Sequence, residues 1–135
     1  MRGPWGEARN DGDIILGTME RPVRSQILSV SYDQLLLKTR HLLLESRGYD
    51  VISAEGLEEA IAKCRSASYD LLIIGHSVPA TDKQALMEES KRHCKSPILA
   101  LLRPGEREIK GASRSLDATY HPDSLLLMVE DLLTH

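Results

Sequence analysis

His76, His121 and Asp33 are the side chains whose types suit chemistry. An imidazole can act as a nucleophile or as a metal ligand. His76 closes an apolar stretch, "YDLLIIGH", at Tyr69–His76, and His121 stands in "ATYHP" near the end of the chain. Two histidines near strand C-termini could hold a transition metal, which needs at least a third ligand. The sequence offers only Asp33 for that place. Ordinary hydrogen-bonded histidines, with Asp33 as a helix N-cap, account for the same residues more cheaply. Cys64 and Cys94 have no CxxC or Cys/His pairing, so they read as reduced thiols of a cytoplasmic protein rather than a disulfide or metal site. No glycine-rich phosphate loop is present to suggest a nucleotide. The sequence therefore implies neither a cofactor nor a resident metal.

The elements that must position these residues follow a regular pattern. Apolar runs at Gln26–Val30, Asp50–Ala54, Leu71–Ile74 and Pro97–Leu102 read as strands, with a weak fifth at Ala118–Tyr120. Helical patterns lie between them at Asp33–Gly48, ending on a glycine, and at Gly56–Ala67, with Leu57, Ile61 and Cys64 on one face. A third helix is expected to open at Thr81, with Gln84 as its capping-box partner. A short polar helix is expected around Glu106–Ser113, and a last one over Asp123–His135. Continuous apolar strands alternating with amphipathic helices predict an α/β fold of the flavodoxin-like type. Its doubly wound, five-stranded parallel sheet has the order 2-1-3-4-5, with helices on both faces.

The bulk numbers agree with one such domain. The chain has 135 residues, 41% hydrophobic and 27% charged, with net charge −3. That balance is globular and gives no field toward nucleic acid or an anionic membrane. No apolar run reaches transmembrane length. Residues 1–24 are rich in Gly, Pro, Asn and charge, broken by Trp5 and Ile14–Leu16, and read as a poorly ordered extension. Met19 is an alternative start, and residues 25–135 form the domain.

In its ordered landmarks the chain resembles the receiver domain of bacterial two-component response regulators. These landmarks are "ILSVSYDQLLL", "LLESRGYDVISAEGLEEAI", "YDLLIIGHSVP", "SPILALL" and "DATYHP". The resemblance covers Ile27–Leu133 and implies a pocket for phosphoryl transfer to an aspartate with magnesium. At each implied position this sequence departs from the family. Ser31 and Tyr32 stand where an acidic pair is expected, and Gly75 stands for the phosphoacceptor four residues before Pro79. Leu102 replaces the switch hydroxyl, His121 the lysine and Ala118 the reporting aromatic. The stretch between Leu102 and His121 is also short for the family, which puts its fourth helix in doubt. A degenerate, non-enzymatic receiver follows from the resemblance.

What remains is surface. Leucine triplets at 35–37 and 42–44 span more of the first helix than one buried stripe needs. Leu36 and Leu43 fit the core side, which leaves Leu35, Leu37, Leu42 and Leu44 as candidate contacts. Leu127 and Met128 play the same part on the last helix. In the receiver fold these two helices are neighbours, so the surplus apolar residues should merge into one patch for a homodimer or a signalling partner. The alternative is a small-ligand sensor in a crevice lined by Ser31, Tyr32, Gly75, His76 and His121, where Gly75 leaves room.

Overall fold

Short apolar segments and amphipathic helices alternate along the chain, and the backbone turns that alternation into a wound sheet. The computed structural model describes residues 24–117 and 119–134. Its elements are β1 (Gln26–Ser31), α1 (Gln34–Glu45), β2 (Asp50–Glu55), α2 (Leu57–Ser66), β3 (Leu71–Ile74) and α3 (Ala80–His93). They continue with β4 (Ile98–Leu102), β5 (Arg114–Asp117) and α4 (Pro122–Leu133). All neighbouring strands run parallel, in the order β2-β1-β3-β4-β5, as the sequence predicts. The expected N-terminal extension, with Trp5, Ile14–Leu16 and Met19, lies outside the described residues, as does Ala118.

Alternate strand residues feed two cores, because successive side chains in a strand point to opposite faces. Leu28, Val30, Leu72 and Ile74 pack with Ala60 and Cys64 of α2 and Leu86 and Met87 of α3. Ile27, Leu71, Ile73, Leu99 and Leu101 pack with Leu44 of α1 and Leu125, Leu126 and Val129 of α4. The first and last helices thus share one side of the sheet.

The start and end of α1 follow local chemistry. Asp33 is the N-cap, its carboxylate accepting from the backbone N–H groups of Leu35 and Leu36. At the far end Tyr49 N–H bonds to Leu44 O and Gly48 N–H to Glu45 O, with Gly48 at φ 90°. This is a Schellman closure that requires the left-handed backbone glycine adopts without penalty. The buried stripe between these ends is Leu37, Arg40 and Leu44. It lies one residue round from the expected Leu36 and Leu43, which are half-buried. Leu37 and Leu44 are therefore core residues and not contact surface, a correction that follows from burying Arg40 on the same face.

Three further expectations change. α3 begins at Ala80 behind Pro79, which makes no side-chain cap, so the Thr81–Gln84 capping box does not form. No helix forms over Glu106–Ser113 among the described residues. Gly111 sits at φ 108°, which a helix forbids, and the Glu106 carboxylate is drawn inward by Lys83. Finally, β5 is Arg114–Asp117 rather than Ala118–Tyr120. Only Leu116 is strongly apolar in it, and it pairs at an edge of the sheet, where polar residues are tolerated.

Candidate functional site

In an open parallel sheet, the crevice for ligands lies beyond the C-terminal ends of the strands. Here β1, β3 and β4 end side by side, and the turns after them carry Ser31–Asp33, Gly75–Val78 and Leu102–Glu106. The first two turns are tied together by hydroxyls. Ser31 Oγ lies 3.0 Å from Ser77 Oγ, and Tyr32 N–H donates to Ser77 Oγ at 2.9 Å. Asp33 N–H in turn donates to Ser31 Oγ at 3.1 Å. The Tyr32 hydroxyl donates to Asp82 at 2.8 Å, and burial followed by that carboxylate pushes the phenol well above its ordinary pKa. These polar groups satisfy one another and hold the turns closed.

Gly75 continues β3 and bonds through its N–H to Val30 O at 2.8 Å. A Cβ here would lie 2.9 Å from Val30 O, 3.1 Å from Arg40 Nη2 and 3.4 Å from Arg40 Nη1. The room that the missing side chain was expected to leave is filled by the Arg40 guanidinium, so the expected vacancy at Gly75 is corrected. Arg40 is 4% exposed. Its Nη1 donates to Ser29 Oγ at 3.2 Å and to Val30 O at 3.4 Å. Burial lowers its pKa and Tyr120 opposes that shift.

A second cation approaches from the other face of the sheet. Lys83 of α3 is fully buried, and its Nζ donates to both carboxylate oxygens of Glu106 at 2.7 and 2.9 Å. Glu106 also accepts from Arg103 N–H at 2.8 Å. Burial raises its pKa, but Lys83 and Arg103 outweigh burial and hold the carboxyl below the ordinary range. Exposed Arg103 clasps the β3–α3 turn by donating to His76 O at 2.9 Å and Ser77 O at 3.0 Å. His76 is partly buried among these cations. Burial first, then Arg40, Lys83 and Arg103, lower its pKa, with Asp33 acting in the opposite direction.

The pocket that the resemblance would make acidic is lined by cations. A hard dication wants anionic oxygen ligands. Ser31 and Tyr32 spend their polar atoms on Ser77, Asp33 and Asp82, and a guanidinium stands at Gly75, so these residues do not fit magnesium. His121 does not face the pocket either. It caps α4, its Nδ1 accepting from Asp123 N–H at 3.1 Å, with the side chain 72% exposed. Among the described residues no group of three or more His, Cys, Asp or Glu could hold a metal ion, so His76, His121 and Asp33 are not brought together as one. Leu102 is buried at the end of β4.

Of the expected contact residues, Leu35, Leu42 and Leu127 are 73%, 57% and 67% exposed. Met128 is half-buried against the α1/α4 core. Leu42 borders a groove with Leu37, Lys38, His41 and Ser53, whereas Leu127 borders another with Arg47, Tyr49 and Glu130. The two grooves share no lining residue. Sequence reasoning missed Arg40, Lys83, Ser77 and Glu106. Arg40 had a usable signal, since it lies three residues after Leu37 and four before Leu44, on one helical face.

The chain is 27% identical over 121 residues to the transcriptional regulatory protein ResD of Bacillus subtilis (strain 168), a match covering 85% of this chain. It spans about half the length of that curated relative (50%). No family model matches the chain. Among solved structures, a CheY-like response regulator receiver domain from Methanospirillum hungatei JF-1 superposes with TM-score 0.73 at 21% identity, covering 83% of this chain and 95% of that one. The signal receiver domain of a putative Luxo repressor protein from Vibrio parahaemolyticus gives TM-score 0.72 at 18% identity, with coverages of 83% and 92%. The chemotaxis protein CheY4 of Vibrio cholerae gives TM-score 0.66 at 23% identity, with coverages of 82% and 100%. The fold is that of response-regulator receiver (CheY-like) domains.

Proposed function

We propose that this receiver (CheY-like) domain is a degenerate one. It is a non-catalytic signalling module of a bacterial two-component or phosphorelay-type pathway that acts by binding protein, without aspartyl phosphorylation. One observation carries this reading. At the end of β3 stands a glycine, and the space a side chain would need is occupied by the Arg40 guanidinium 3.1 Å from its would-be Cβ. A glycine has no nucleophile, and a cation at that point opposes the magnesium that would accompany an incoming phosphoryl group. Incubation with acetyl phosphate and magnesium, followed by intact-mass measurement, is expected to show no phosphoryl adduct. An acid-labile adduct on the native protein would sink the reading.

The contact surface of this proposal lies on the outer faces of α1 and α4. At about 100° per residue, Leu35 and Leu42 point opposite the Leu37–Arg40–Leu44 stripe, and Leu127 points away from the Leu125–Val129 side of α4. Outward leucines on two helices of one face suit a second copy of the chain or a signalling partner. Among the described residues, no helix is long and apolar enough to cross a membrane. We place the protein in the cytoplasm and assign it no nucleic-acid or membrane partner. Light scattering coupled to size exclusion, on wild type and on Leu42→Glu/Leu127→Glu, checks the homodimer. A dimer abolished by the substitutions supports it, and a dimer that survives them moves the interface elsewhere.

A further inference from the structure

Exposed Leu127 of α4 borders a groove of about 440 Å³ that it shares with Arg47, Tyr49, Asp123, Leu126 and Glu130. The groove lies between the turn after α1 and α4, with charges of both signs among its lining residues. The described chain begins beside it. Ser25 O accepts from Asp50 N–H at 3.0 Å, and an Arg24 nitrogen lies 3.6 Å from the Asp50 carboxylate. The backbone therefore enters β1 next to Tyr49. Residues 1–23 lie outside the described residues, and their longest apolar run is Ile14–Leu16, directly preceded by Asp13. Arg24 is eight residues beyond Leu16. A tether of that length spans at most about 26 Å when extended and about 16 Å as a flexible coil. The part of α4 that borders the groove, Asp123 to Glu130, is only about 10 Å long. The apolar run can thus reach the groove from the point where the chain emerges.

We propose that Ile14–Leu16 dock into this groove of the same chain and cover Leu127, with Asp13 set against Arg47. The trio gains by burying apolar surface against Leu126, Leu127 and the Tyr49 ring. The aspartate beside it meets the cation of the groove, which fixes the direction of docking more than its strength. Connection to β1 also decides between occupants. A short flexible tether holds the trio at an effective concentration in the millimolar range, against which a second copy at micromolar concentration competes poorly. The docked segment regulates the α4 part of the contact surface, because a partner that binds Leu127 must displace it. That consequence rests on the protein-binding reading, whereas the contact itself does not.

The test is a methyl NOE measurement on the full chain, labelled at its Ile and Leu methyl groups. Cross-peaks are expected from Ile14, Ile15 and Leu16 to the Leu127 methyls and the Tyr49 ring, and they should survive dilution. Ile15→Asp changes a residue upstream of β1 and leaves the described core intact. It is expected to abolish these cross-peaks and to shift the Leu127 methyl and Tyr49 ring resonances, whereas Ile15→Leu should preserve them. Leu127→Glu, on the exposed side of α4, should remove the remaining contacts to Tyr49 from the groove side. A native chain without the cross-peaks overturns the proposal, and so do cross-peaks that persist in Ile15→Asp. Cross-peaks between labelled and unlabelled chains in a mixed sample also overturn it, since they assign the groove to a second copy. Cross-peaks within a chain that light scattering finds monomeric support the docking and count against the homodimer alone, so the two readings fail separately.

Discussion

Two buried cations flank the end of β3 from opposite faces of the sheet, and they are stabilised in different ways. Lys83, on the α3 side, is fully buried against both oxygens of Glu106, a carboxylate delivered by the β4–β5 connection. Arg40, on the α1 side, donates to two neutral oxygens, Ser29 Oγ and Val30 O, and has one nitrogen without a partner. The first pair explains why the expected polar helix does not form. A carboxylate turned into the protein at Glu106 anchors the connection as an irregular loop across α3. The second cation explains why Gly75 is a glycine, since its guanidinium occupies the side chain's place. Two positions that look like simple losses in the sequence are thus compensated by charges recruited from two helices.

The largest expected effect breaks the comparison on the Lys83 side. Glu106→Gln leaves a buried ammonium without its anion, which should cost about 3–5 kcal/mol in chemical denaturation. Adding Lys83→Met should recover much of that loss, because a well-packed apolar pair is often as stable as a buried ion pair. A double variant no better than the single one would mean that packing, not charge, dominates the site. The pH dependence has a definite sign. Since the folded pKa of Glu106 lies below its unfolded value, its contribution is present above the unfolded pKa and fades as pH falls through the folded one. Glu106→Gln should therefore flatten the acid limb of the stability curve.

The next effect sharpens the comparison on the Arg40 side. Any side chain at Gly75 crowds Val30 O, so Gly75→Ala should cost about 1–3 kcal/mol. Gly75→Asp and Gly75→Asn add nearly the same volume, and only the aspartate brings a negative charge to Arg40. If Arg40 lacks a counter-charge, the Asp variant should be the more stable by about 1–2 kcal/mol at neutral pH. The advantage should vanish in acid as the carboxylate protonates. Equal midpoints would mean that the neutral oxygens already satisfy the guanidinium.

How far the sequence exposed all this depended on the kind of signal. Strand order and the two-faced core were legible because Leu71–Ile74 and Ile98–Leu102 are unbroken apolar runs, which only a sheet covered on both sides accommodates. Asp33 and Gly48 announced the ends of α1 through local chemistry that tertiary packing did not override. Arg40 and Lys83 were hidden for the opposite reason. Periodicity rules sort charged residues to the solvent side, so the leucine triplets drew the buried face of α1 toward Leu36 and Leu43. The stripe Leu37, Arg40, Leu44 keeps helical spacing but contains a charge, and only the structure supplies the oxygens that make its burial tolerable. β5 was misplaced because its stability comes from pairing with β4 rather than from its own apolar content.

Tyr120→Phe carries the smallest and most local change. It removes the hydroxyl that opposes the lowering of the Arg40 pKa while leaving the ring in place, so the expected loss is at most about 0.5–1.5 kcal/mol, that of one hydrogen bond. Leu116, Tyr120 and Met128 pack along the same core, and the phenylalanine ring preserves those contacts. A loss within that range fits an Arg40 whose principal counter-charge is not Tyr120. A loss above about 3 kcal/mol, the scale of breaking a buried pair, would make Tyr120 the essential partner of Arg40. The contrast with Lys83 and Glu106 would then be one of partner type rather than of a charge left unpaired.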